Sequence, residues 1–253
     1  MLTIITASYN SEKTIKRTID SLLNQTNTQF EYIIVDGNST DTTVDIIQSF
    51  EEAFKTKGIL YKWISEPDKG IYDAWNKGLK MATGNWISFL GSDDYYLDNA
   101  LEIYSRELNK FQNVDLDIIY SNVNVVSGNK TLKTISGKWS WSVFKGRMNI
   151  AHVGAFHSAN YFEKYGFFDI SYKIAGDYEM LLRAGHILKT LKVNEITAIM
   201  GAEGVSNNNI SKVLKETLRA KHQTAGVNYI VCLIDYIWAM LKFEAKKILH
   251  EDS

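Results

Sequence analysis

Apolar and polar positions alternate along the first ninety residues in a regular way. Residues 2–7, 32–35, 60–64 and 84–90 are short, nearly unbroken apolar runs, as expected of strands buried on both faces. Between them lie stretches whose apolar residues recur at three and four. Ile15, Ile19, Leu22 and Leu23 form the first, Val44, Ile47 and Phe54 the second, and Ile71, Ala74, Trp75, Gly78, Leu79 and Ala82 the third. This strand–helix alternation predicts a right-handed parallel sheet with ligand loops at one edge. Beyond Asp94 the pattern loosens. Leu101, Tyr104 and Leu108 predict a helix, and 117–126 with 130–135 a hairpin across Ser127-Gly128-Asn129. Residues 138–147 read as a loop over the site, 176–184 as a helix, 189–199 as an edge strand, and the chain from Ser206 as helical.

Composition narrows the class. The 253 residues are 45% hydrophobic and 23% charged, ordinary for a globular protein, and the net charge of −1 offers no field for nucleic acid. Cys232 is the one cysteine, which excludes an internal disulfide and fits a reducing compartment. The first residues read as a strand rather than a signal peptide, and no run reaches the roughly 18 apolar residues of a membrane span.

Each early strand ends in small, hydroxyl or acidic residues, at the strand end where open α/β sheets bind ligands. Thr6, Ser8 and Asn10 offer hydrogen bonds and Tyr9 a flat face for a base. Asp36 offers a carboxylate to a base edge, and Asn76 and Lys77 lie on a helix suited to a phosphate. The fourth strand ends in Gly91-Ser92-Asp93-Asp94. Two adjacent carboxylates repel, and a hard divalent ion bridging to a diphosphate satisfies both. Singly, each residue reads equally as a cap or a solvated turn. Together they point to a nucleotide. The first turn has no glycine fingerprint and the chain has no P-loop, which argues against hydride transfer.

The motifs Thr6-Ala7-Ser8-Tyr9-Asn10, Asp36-Gly37-Asn38-Ser39-Thr40-Asp41, Glu66-Pro67-Asp68-Lys69-Gly70 running on to Asn76-Lys77-Gly78, and Phe89-Leu90-Gly91-Ser92-Asp93-Asp94 resemble those of family 2 glycosyltransferases. Ala175-Gly176-Asp177-Tyr178-Glu179 is similar to that family's second acidic motif. The resemblance implies an α/β GT-A fold, a Rossmann-like, mostly parallel central sheet flanked by helices with a helical C-terminal extension. It implies a catalytic domain over 1–205, its nucleotide-sugar half 1–97 and its acceptor half 98–205, and an extension over 206–253. It also implies inverting transfer from a UDP, GDP or dTDP sugar with Mg²⁺ or Mn²⁺. Asp36 would read the base, Ser92 and Asp93 would meet ribose and diphosphate, and Asp93 and Asp94 would hold the metal. Thr6, Ser8, Tyr9, Asp68, Lys69 and Asn76 complete the expected donor site. Asp177 is the expected general base, with His152, Trp139 and Trp141 toward the acceptor. The chain departs from the family pattern at Gly91 and Gly176, where an acid is usual.

Residues 227–241 are apolar apart from Asn228 and Asp235, with Lys242, Lys246 and Lys247 following. That pattern suits a membrane-surface anchor, a helix packed on the catalytic domain, or a homodimer contact. The expected role is transfer to a glycan or lipid-linked acceptor in bacterial surface polysaccharide synthesis, in the cytoplasm or peripheral on the inner membrane face. A non-catalytic nucleotide-sugar-binding or scaffold subunit and a sugar-phosphate nucleotidyltransferase are the competing readings.

Overall fold

The computed structural model describes residues 1–202 and 209–251, with side chains to residue 245 in the last helix. Its strands are β1 Leu2–Ser8, β2 Phe30–Asp36, β3 Leu60–Ser65, β4 Trp86–Gly91, β5 Tyr95–Tyr96, β6 Ile118–Ser127, β7 Lys130–Ile135, β8 Ala155–Ser158 and β9 Thr190–Gly201. The helices are α1 Ile15–Leu23, α2 Thr43–Ser49, α3 Glu51–Thr56, α4 Ile71–Met81, α5 Ala100–Lys110, α6 Trp141–Phe144, α7 Ala159–Tyr165, α8 Gly176–Leu182, α9 Ile210–Gln223 and α10 Tyr229–Glu251. The strands form one sheet in the order β3-β2-β1-β4-β8-β6-β9-β5, with β7 on β6.

The parallel character resides in β3, β2, β1 and β4. β8 enters antiparallel between β4 and β6, and β9 then runs parallel to β6. The expectation that 189–199 is an edge strand is corrected: β9 pairs with β6 on one side and with the short β5 on the other. Its alternating exposure resembles an edge because β5 is only two residues long.

Alternate strand residues feed two cores. Ile5, Ile33, Val35 and Phe89 face α4 and α8, while Ile4, Tyr32, Ile34 and Leu90 join the buried faces of α1, α2, α3 and α5. Burial on both sides is why these strands read as unbroken apolar runs. Gly78 lets α4 lie close on β1, since a Cβ there would stand 2.4 Å from Ile5 Cγ2. That approach brings the N-terminus of α4 to the carboxyl ends of the parallel strands.

At the opposite sheet edge, the Glu31 carboxylate is wholly buried. It accepts hydrogen bonds from Thr3 Oγ1 at 2.7 Å, Lys62 Nζ at 2.7 Å and the Thr83 backbone N–H at 2.8 Å. Burial pushes its pKa up, but Lys62, Thr83 and Thr3 outweigh it and hold the group below the ordinary glutamate value. An acid with a depressed folded pKa contributes stability above its unfolded pKa and loses it as pH falls through the folded one. Glu31→Gln should cost about 2–3 kcal/mol at neutral pH, discounted for the partly exposed Lys62. The difference from wild type should shrink below about pH 4, a trend that urea titrations of both proteins across pH 3–8 will check.

Candidate functional site

The parallel register sets Ser8 beside Asp36, Asp36 beside Ser65, and Ala7 beside Gly91, so four strand tips stand in a row. Asp36 ties three of them. Its wholly buried carboxylate accepts from Ser8 Oγ at 3.0 Å, Ser39 N at 2.8 Å, Ser39 Oγ at 2.5 Å and Ser65 Oγ at 2.7 Å. Asp36, expected at the edge of a nucleobase, holds the loops together through these four bonds. Ser8 is likewise buried on Asp36. Thr6 is a core residue, its hydroxyl accepting from Tyr32 Oη at 3.2 Å.

Above Asp36 the loops leave a different pair facing outward. A Cβ on Gly37 would meet Asp68 Oδ2 at 2.6 Å and Tyr9 Cδ2 at 3.4 Å, so the Tyr9 ring and the Asp68 carboxylate flank one small gap. Tyr9 is 62% exposed. Asp68 spends Oδ1 on the Gly70 N–H at 2.7 Å, and Gly70, at φ +115, turns the chain into α4. Lys69 is exposed on that turn. Asn76 is partly tied to the fold: its amide donates to Phe168 O at 2.9 Å and accepts from Phe168 N at 3.0 Å. Lys77 is spent on Glu66 and Pro67.

The fourth tip gathers negative charge. A Cβ on Gly91 would stand 2.7 Å from Asp94 Oδ2 and 3.0 Å from Asp93 Oδ1, so both carboxylates lean over the glycine. An acid at 91 would fill the space they occupy, which accounts for that departure from the family pattern. Asp94 is buried, with Oδ1 accepting the Gly201 N–H at 3.0 Å. Burial, then Asp93, push its pKa up to about 7. Asp93 is half-buried and its carbonyl accepts from Arg17 Nη2 at 2.9 Å. Ser92 Oγ lies 2.8 Å from Ser11 Oγ. Two carboxylate oxygens brought together over Gly91 suit a small divalent cation. No third His, Cys, Asp or Glu joins them among the described residues, so further ligands would come from a bound diphosphate or water.

Asp177 opens α8, with Oδ1 accepting the Tyr178 N–H at 2.8 Å and Tyr72 Oη 3.4 Å away. Tyr72 stands in the first turn of α4, directly after the Asp68 loop, and its hydroxyl also donates to Ile174 O and accepts from Gly176 N. The same ring explains Gly176, where a Cβ would meet it at 2.7 Å. Burial raises the Asp177 pKa to about 6, against the pull of Tyr178 and Tyr72. One acid from the C-terminal extension completes this turn. Glu216 on α9 accepts backbone N–H groups of Lys173, Ile174 and Ala175 at 2.8–3.1 Å. Arg219 on the same helix reaches Asp169 and Ser171. Sequence reasoning missed Glu216 because its partner is backbone; Tyr72 stood inside a recognised motif without a role.

The acceptor-side expectations divide. His152 lies in the turn before β8 rather than on a strand. It is buried, with its ring stacked on Phe89 at 5.4 Å and near Trp75 and His157. Burial holds its pKa well below the usual histidine value. Among the described residues neither of its ring nitrogens finds a hydrogen-bond partner, and the buried ring is neutral. Trp139 packs on Phe144 at 4.5 Å, and both it and Trp141 are half-buried against the core. The expected loop therefore carries a short helix, α6, anchored by the fully buried Phe144.

The glycosyl transferase family 2 model matches residues 3–169. The chain belongs to that family. A PGL/p-HBAD biosynthesis glycosyltransferase of Mycobacterium bovis is 27% identical over 243 residues, covering 92% of this chain and 90% of that protein. A putative teichuronic acid biosynthesis glycosyltransferase, TuaG of Bacillus subtilis, is 38% identical over 102 residues, 40% of this chain and 39% of its own. Among solved structures, S. aureus TarS 1–349 with UDP-GlcNAc superposes with a TM-score of 0.71 at 17% identity, covering 96% of this chain and 73% of that one. The mannosyltransferase PcManGT of Pyrobaculum calidifontis, solved with GDP-Man and Mn²⁺, gives 0.61 at 15% identity, covering 96% and 75%. The fold is GT-A, and the protein is a glycosyltransferase. The family match ends before Asp177, which stands on the geometry described here.

Carboxyl ¹³C NMR should place the Asp177 midpoint near pH 6. Replacing Glu216, whose charge adds to that rise, with Gln should move the midpoint down. An Asp177 titration at the ordinary aspartate value would refute the burial seen here.

Proposed function

We propose that this glycosyltransferase inverts the anomeric centre of a nucleotide-diphosphate sugar, with a divalent cation, and passes the sugar to a hydroxyl of a glycan or lipid-linked acceptor. The observation that carries the reading is the placing of Asp177 by Tyr72, whose helix starts at the loop that also presents Asp68. One strand tip thus serves both a donor nucleotide and a base. Tyr9 offers its ring to the nucleobase and Asp68 its Oδ2 to a base N–H. Lys69 brings positive charge toward the phosphates, and Ser92 and Asp93 stand at the ribose and diphosphate.

When bound, Mg²⁺ or Mn²⁺ held by Asp93 and Asp94 supplies the charge that offsets the leaving diphosphate. Asp177 takes the proton from the acceptor hydroxyl as that oxygen attacks C1 from the face opposite the diphosphate. A carboxylate with a pKa raised to about 6 is a stronger base than an exposed aspartate and stays ionised at neutral pH. Residues 1–97 hold the donor, 98–205 form the acceptor half, and 206–253 form the extension. The relatives named for PGL/p-HBAD and teichuronic acid biosynthesis support a place in bacterial surface polysaccharide synthesis. That chemistry suits a cytoplasmic enzyme peripheral to the inner membrane face. Nucleotidyl transfer is disfavoured because no glycine-rich basic loop follows β1. A scaffold role is disfavoured by the converging acids.

Asp177→Asn should lower kcat by about 10²–10⁴-fold while leaving donor affinity within a few-fold in calorimetry. Near-normal turnover would refute the assignment. Wild-type kcat should rise with pH through about 6, as Asp177 loses its proton. A thermal-shift panel of UDP, GDP and dTDP sugars with Mn²⁺ should show one donor raising Tm. That rise should vanish with EDTA and in Asp93→Ala, and a donor shift indifferent to both would exclude the metal site.

A further inference from the structure

The last helix leaves one face uncovered. α10 meets α9 through Cys232, which is buried, and through the ion pair of Lys221 with Asp235. At 3.6 residues per turn, Ile237, Ile230, Leu241, Ile234 and Trp238 fall within one arc of about 100°, on the side away from Cys232. These five side chains are between 48% and 66% exposed. The stripe runs about 17 Å along the helix. It is contiguous, unlike the scattered single apolar residues of an ordinary surface. Past its Trp238 border stands Lys242, whose Nζ lies 5.1 Å from the indole centroid. Lys246 and Lys247 follow in the sequence.

We propose that this face docks in the plane of an anionic lipid leaflet, with Ile230, Ile234, Ile237, Trp238 and Leu241 among the acyl chains and Lys242 at the phosphates. The proposal rests on the reading of a membrane-borne acceptor and identifies the surface that meets the membrane. Charge selects the occupant. Residues 206–253 hold seven Lys and Arg against five acids, a net +2, while residues 1–205 hold 21 against 24, a net −3. An anionic surface therefore attracts the extension and repels the body, which orients the molecule. Two copies meeting through this face would instead bring two net-positive extensions together. An indole beside a lysine at the border of an apolar stripe matches the polarity gradient at headgroup depth. No helix among the described residues is long and apolar enough to cross a membrane, so the helix lies in the surface. Because α9 both carries α10 and holds the turn before Asp177 through Glu216, docking also fixes how that turn stands relative to the leaflet.

The test is flotation of the full chain with vesicles of phosphatidylcholine alone or with one-third phosphatidylglycerol, beside the double variant Ile234→Asp, Trp238→Asp and the single variant Lys242→Glu. The wild type should float with the anionic vesicles. Binding should fall at least tenfold when phosphatidylglycerol is omitted or in the double variant, and a few-fold in Lys242→Glu. Because these side chains are exposed, Tm and vesicle-free donor hydrolysis should match wild type. An enzyme that floats yet turns over no donor would count against the glycosyltransfer reading and not against this one. Failure of the wild type to float, or flotation unchanged in the double variant, overturns the proposal. A wild-type dimer in light scattering that the double variant makes monomeric, without vesicle binding, assigns the face to a second copy.

Discussion

A buried carboxylate with four donors holds the working edge of this protein together. Asp36 sits at the end of β2, and the hydroxyls of Ser8, Ser39 and Ser65 come to it from three adjacent strand ends. An aspartate sealed from water without such partners would carry a heavy desolvation cost. Because its bonds are made by short side chains on neighbouring tips, the loops above have little freedom. Tyr9 and Asp68 face each other across Gly37 as a result.

Space reserved by glycine is the second constraint. At Gly91 the room a side chain would need is taken by the carboxylates of Asp93 and Asp94, and at Gly176 by the ring of Tyr72. In both places an acid usual in the family is missing, and in both a neighbour stands where that side chain would go.

The extension belongs to the site. Glu216 receives three consecutive backbone N–H groups just before α8, and Thr224 donates to Glu179, which in turn pairs with Arg183. The turn that presents Asp177 is thus held from α4 by Tyr72 and from α9 by Glu216. Segments far apart in sequence meet on one loop, and the acid between them is half-buried enough to bind its proton more tightly than a free aspartate.

Much of this was legible beforehand. Unbroken apolar runs and three-and-four spacing located β1 to β4 and the helices between them, because burial on two faces or one dictates those patterns directly. The motifs drew attention to Tyr9, Asp68, Asp93 and Asp94 after the strands and to Asp177 at the start of α8, because together these residue types suit a nucleotide and a cation. What only the tertiary structure decided was which polar residues face outward. Thr6, Ser8 and Asp36 have the chemistry of a site, yet each makes its hydrogen bonds inside the protein. Residue type states what a group can bind, whereas the partner it meets depends on strands and loops brought together from elsewhere. For the same reason β9 read as an edge strand, and Glu216, whose partner is backbone, left no mark in the sequence.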